Sequence, residues 1–192
     1  VNTILTITSP GSTSTEQGCV GRSTVGCPSG VANASSDFIG GTLGGDEQTG
    51  ASQTLTRTVA QLGLTTAENI RVVFNASEPA GNGITLETLV LTIYNSDNSI
   101  QFSGGIAAPV VFADTLTGVG NSGFVFALDS TQAGLVGALA ADDRIGLSAS
   151  ASDATGSLET FFVAEAVPEP TTLLLLGSGL VGIGVWRRRT SA

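Results

Sequence analysis

Short β-branched runs, each cut off by a turn signal, constrain this chain more than any other feature. Residues 1–8 are rich in Val, Ile and Thr and stop at Ser9-Pro10-Gly11, which reads as a strand and a turn. From Leu86 to Tyr94 the chain alternates, with Leu89, Leu91 and Ile93 on one face and Thr88, Val90, Thr92 and Tyr94 on the other. Asn95-Ser96-Asp97-Asn98 then turns it into Ile100-Gln101-Phe102, a hairpin. Further strands are expected around 37–39, 54–60, 70–75, 110–112, 123–128, 144–149 and 159–163, with Glu78-Pro79-Ala80-Gly81-Asn82-Gly83 as a turn. The period changes once. Asp129 or Ser130 can cap a helix from about Thr131 to Ala141, with Leu135, Val136, Leu139 and Ala140 facing inward. The expected fold is mostly β: an antiparallel β-sandwich with one short helix, over residues 1–164.

Composition narrows the chemistry. With no His, and with every basic residue an Arg, His-based triads, His-rich zinc sites, P-loop lysines and Schiff-base lysines are all excluded. Sixteen acidic residues face seven basic ones, for a net charge of −9, and three of the seven are Arg187, Arg188 and Arg189. The rest of the chain is therefore strongly acidic and suits no nucleic-acid backbone. Eight Phe and one Tyr give it few aromatic platforms for sugars. The adjacent acids Asp46-Glu47 and Asp142-Asp143 read as solvated surface, with calcium near Asp142 and Asp143 as the alternative. Gly118-Val119-Gly120-Asn121-Ser122-Gly123 matches a dinucleotide fingerprint, but a strand follows it where a helix is required, so it reads as a hairpin loop. No enzyme activity is expected.

Cys19 and Cys27 lie eight residues apart in a Gly-rich polar loop. In an exported chain this spacing predicts one disulfide. Export is also expected because the chain begins at Val1 and holds no Met, as after removal of a secretory signal.

At Val167-Pro168-Glu169-Pro170 two prolines break any regular element. The uncharged stretch from Thr171 to Trp186 follows, with Leu173, Leu174, Leu175 and Leu176 at its head and Arg187, Arg188 and Arg189 behind it. This reads as a transmembrane helix over residues 171–192, after a Pro-rich linker at 165–170. Its helical rise of roughly 24 Å falls short of a ~30 Å hydrocarbon core. Trp186 at the interface and the snorkelling arginines cover the difference. Ser178, Gly179 and Gly182 give the span a small-residue face for helix packing. The positive-inside rule then places the arginines in the cytoplasm and the acidic domain across the membrane.

Those residues, Val167 to Pro170, the Leu/Gly-rich span and Arg187 to Arg189, closely resemble the PEP-CTERM sorting signal of bacterial exported proteins. The resemblance implies recognition of 167–170 by an exosortase-like membrane enzyme, a span that anchors the chain in the inner membrane, and sorting to the envelope or outside, often beside exopolysaccharide production. It covers only the tail. For the remainder the expectation is a non-catalytic structural or adhesive role. The alternatives are an accessory single-span subunit of a larger membrane complex, with its domain on the periplasmic side, and a calcium-dependent binding module.

Overall fold

The computed structural model describes residues 2–8, 14–28, 30–32, 37–40, 54–79, 82–113, 122–155 and 158–166. In chain order the strands are β1 (Thr3–Thr8), β2 (Thr15–Gly21), β3 (Val31–Ala32), β4 (Phe38–Gly40), β5 (Arg57–Thr58), β6 (Ile70–Ala76), β7 (Ile84–Tyr94), β8 (Ile100–Gly105), β9 (Val110–Phe112), β10 (Ser122–Ala127), β11 (Arg144–Ser152) and β12 (Leu158–Glu165). Two short helices, α1 (Val59–Leu62) and α2 (Ser130–Val136), and a 3-10 turn at Ala67–Asn69 complete it. Every strand pairing is antiparallel. One sheet runs β1-β12-β6-β10; the other runs β3-β4-β2-β11-β7-β8, with β5 added on β11 and β9 on β7.

Alternation decides what goes between the sheets. Ile4, Leu5 and Ile7 of β1, Val72 and Phe74 of β6, and Phe161 and Val163 of β12 join Val20, Leu89, Leu91, Ile93 and Leu147 of the second sheet in one apolar cluster. The Phe74 ring stacks on Phe161 with centroids 4.8 Å apart and tilts against Phe112 and Phe124 at 5.9 and 6.1 Å. In β7 the register against β11 slips between Ser150 and Ala151, which face Thr88 and Leu86. Glu87 is thus an extra residue, and this bulge keeps both Leu86 and Leu89 buried.

The lateral edge of β1 is closed by side-chain and backbone rungs rather than by another strand. Leu55 N–H donates to Ile4 O at 3.0 Å, and Thr54 Oγ1 accepts from Thr6 N–H at 3.2 Å while lying 3.4 Å from Thr6 O. Two residues later the chain reaches the other sheet, where Thr58 pairs with Arg144.

Two expectations need correction. The strand expected over 54–60 survives only as Arg57–Thr58, because Thr58 and Gln61 form a capping box that starts α1, and Gly63 ends it at φ 68°. The helix expected over 131–141 is capped by Asp129 and stops at Val136, before Gly137 at φ 70°. Its inward residues are Ala133 and Val136, and Leu135 is exposed. Thr92 and Tyr94, on the face of β7 opposite Leu89, Leu91 and Ile93, are buried as well. The strand expected around 37–39 is present as β4, and the described residues of 9–52 also hold β2 and β3.

Candidate functional site

The tail's root is the first place where this fold meets its functional signal. β12 ends at Glu165, whose carboxylate accepts from Thr65 N–H (3.1 Å), Thr65 Oγ1 and Asn69 Nδ2 (3.0 Å). Partial burial works against ionisation there, but those bonds and nearby Arg71 outweigh it and hold Glu165 below the usual carboxylate range. Ala166 N–H then donates to Asn69 O at 2.7 Å. The chain is therefore pinned up to the residue before Val167. The sorting residues Val167, Pro168, Glu169 and Pro170, the anchor residues Leu173, Leu174, Leu175, Leu176, Trp186, Arg187, Arg188 and Arg189, and the packing residues Ser178, Gly179 and Gly182 lie outside the described residues. Among the described residues no helix is long and apolar enough to cross a membrane.

Cys19 and Cys27 form the expected disulfide. The loop they close wraps the phenol of Tyr94, which is fully buried; burial pushes its hydroxyl above the usual range. Glycines make the wrap possible, since a Cβ on Gly21 or Gly26 would run into Tyr94 Oη. Reduction of the disulfide is expected to lower stability by about 2–3 kcal/mol, the chain-entropy value for so short a loop. Thermal melts with and without reductant check this, and the near-UV signal of the single tyrosine should weaken with the reduced loop.

The two acids weighed for calcium part company. Asp142 is exposed, whereas Asp143 is buried and its Oδ2 accepts from Ala140 N–H at 2.7 Å, closing a turn. Among the described residues no group of three or more His, Cys, Asp or Glu is arranged to hold a metal ion. Asp46 and Glu47 lie outside the described residues, as does most of the 118–123 glycine stretch; β10 begins at Ser122 and pairs with β6, whereas β9 before it pairs with β7, so the stretch does not join two paired strands as the expected hairpin loop would.

Two polar clusters escaped the sequence reading. Asp37, with no exposure, receives Arg22 Nη1 (3.1 Å), Thr56 N–H (2.9 Å) and Thr56 Oγ1 (2.7 Å), and Arg144 Nη1 reaches Thr56 Oγ1 at 2.9 Å. This knot ties the chain entering β4 to the residue after β2, to the segment entering β5 and to the start of β11. The second cluster is made of Glu16, Glu78 and Glu159, each about 1% exposed. Glu16 shares the inward phase of Val20, Glu159 that of Phe161 and Val163, and Glu78 continues the phase of Phe74 and Ala76 just beyond β6. Ser77 N–H donates to Glu159 Oε1 at 3.3 Å, and Thr155 N–H and Oγ1 donate to Glu78 Oε2 at 2.9 and 3.0 Å. Neither Glu16 oxygen, nor Glu78 Oε1, has a donor. Burial, contact with Glu159 and the Glu78 charge push Glu16 up to about 10. Burial and the Glu78 charge push Glu159 up to about 7, against the lowering effect of its contact with Glu16 and of Ser77.

Residues 166–189 match the family model of the PEP-CTERM protein-sorting motif. No curated protein and no solved structure matches the chain. The match begins at the residue that Asn69 pins, so the signal starts where the sheets end. This chain carries a PEP-CTERM sorting tail behind a body of antiparallel sheets, which suggests an exported protein processed by an exosortase-like enzyme and sorted to the envelope or outside.

Proposed function

We propose that the chain is a non-catalytic exported protein: a β-sandwich held at the cell envelope or released from it by its tail, with a structural or adhesive role. The observation that carries this reading is the sorting motif at 166–189. It follows directly on a strand end that Thr65 and Asn69 clamp. Two sheets on one apolar core, a disulfide and an acidic, arginine-only surface suit a domain that works outside the cytoplasm. In this reading residues 171–186 cross the inner membrane once, with Arg187 to Arg189 in the cytoplasm and the body on the far side, until the tail is processed.

Intact mass from cells tests it. We expect the mature protein to have lost the segment after Val167-Pro168-Glu169-Pro170, and the loss to cease when the exosortase-like enzyme is deleted. A retained tail, with the chain recovered in fixed ratio within a larger membrane assembly in mild detergent, would overturn the reading and favour a complex subunit.

A further inference from the structure

We propose that Glu16 and Glu159, one from each sheet, form a proton-held latch between the two layers, with Glu78 beside them, and that loss of the shared proton loosens this end of the domain. Strand phase puts all three carboxyls on the inward side, where each is about 1% exposed. Two carboxyls in contact cannot both be ionised without a positive charge between them. Among the described residues no side chain supplies that charge. β1 carries no titratable residue. On β2 the trio's member is the only one besides the disulfide cysteine. Arg71 of β6 sits at that strand's far end on Glu68 O and Ile70 O, and Arg144 of β11 is taken by Thr56. Arg22 is taken by Asp37 and Asn98, and Arg57 by Thr3 O. Of the remaining acids on neighbouring segments, Glu87 accepts from Ser152, Asp153 from Thr85, and Glu165 from Thr65. Among the described residues the orphaned oxygens of Glu16 and Glu78 thus have no donor, and the charges that act on Glu16 are those of Glu159 and Glu78. A proton shared by Glu16 and Glu159 removes one charge and supplies a donor between the two carboxyls.

The sign follows from where the proton resides. Both carboxyls are raised above the ordinary value of 4.5, Glu159 to about 7 and Glu16 to about 10. The folded state thus keeps protons that the unfolded chain releases. Stability is complete below the ordinary carboxylate range and falls as pH rises, first towards 7 and then on towards 10. The pair titrates as a unit.

Melting of the full chain in mild detergent with EDTA, from pH 5 to pH 9, tests the latch. We expect the wild-type melting temperature to fall by at least about 5 °C across that range, on the usual scale of a few degrees per kcal/mol. Glu16→Gln, which keeps the shape and brings a permanent donor, should flatten the slope. Should that variant fail to fold, Glu159→Gln offers the same donor from the other sheet and should flatten it too. The infrared band of a protonated carboxyl should persist at neutral pH in the wild type and vanish in whichever variant folds. A flat wild-type profile, or an unchanged slope in the folded variant, overturns the proposal. So does a wild-type slope that calcium abolishes while raising the melting temperature, because the cluster would then hold a cation instead of a proton.

Discussion

Phe74→Ala is expected to cost about 3–5 kcal/mol, the usual range for emptying an aromatic site in a packed core. Phe74 has no exposure and lies at the centre of four rings, stacked on Phe161 and flanked by Phe112 and Phe124. It also sits on β6, between β12 and β10, so the cavity would open in the middle of a sheet where neither neighbour can collapse into it. Whole-domain stabilities run only to about 5–15 kcal/mol, so the variant should be barely folded at physiological temperature. Denaturant titration provides the check, with Val125→Ala as the comparison. Val125 is 63% exposed on the edge strand β10, and its truncation should stay within about 0.5 kcal/mol. A loss at Phe74 no greater than that at Val125 would show that the four rings are not the centre of the core.

Asp37→Ala should be the second large effect, near 3 kcal/mol. The carboxylate is the shared acceptor for Arg22, for the Thr56 N–H and for the Thr56 hydroxyl. Removing it leaves two buried donors unsatisfied, each costing about 1–3 kcal/mol, and strips the cation of its partner. Arg22 retains 14% exposure and a second bond to Asn98 Oδ1, so part of the electrostatic cost drains into water. Asp37→Asn keeps one carbonyl acceptor and should cost roughly half as much, by the difference between charged and neutral hydrogen bonds. Stability measured on both variants, together with Arg22→Ala and the double variant, gives the coupling energy of the pair. A coupling near zero would mean that Asp37 acts through Thr56 alone.

What the residues disclosed in advance depended on how local the cause was. The long alternation of 86–94, the Asn95–Asn98 turn and the β-branched start of the chain identify their strands because side-chain period and turn chemistry act within a few residues. The disulfide was legible from spacing within one loop. The tail was legible because hydropathy, prolines and arginines occur in one order along the chain. By contrast, Thr54 to Ala60 alternates like a strand and becomes half a helix, since one capping box and one left-handed glycine outweigh a weak pattern. Alternation puts Tyr94 on the face opposite Leu89, Leu91 and Ile93, and nothing local says that the Cys19–Cys27 loop folds over it. Asp37 gave no sign at all: its partners lie 15 and 19 residues away and depend on how the strands of one sheet are ordered.

The three glutamates are an intermediate case. Each stands at a position where strand phase calls for an apolar side chain, two residues from Phe161, from Ala76 or from Gly18 in the phase of Val20. An acid in the apolar phase of a strand is a signal that can be read from sequence. Three such acids, two on strands and one just beyond a third, become one cluster only when the layers are assembled.

The clamp at Glu165 has a mechanical consequence. β12 lies inside its sheet, laddered to β1 on one side and β6 on the other, and antiparallel bonds run perpendicular to the strand. Tension entering at residue 167 along the axis of β12 would meet both ladders at once, loading them in shear, after first having to break the Glu165 and Ala166 ties. A strand at the rim, tugged sideways, would instead yield rung by rung. The body is therefore built so that the segment bearing its tether is among the hardest to peel away.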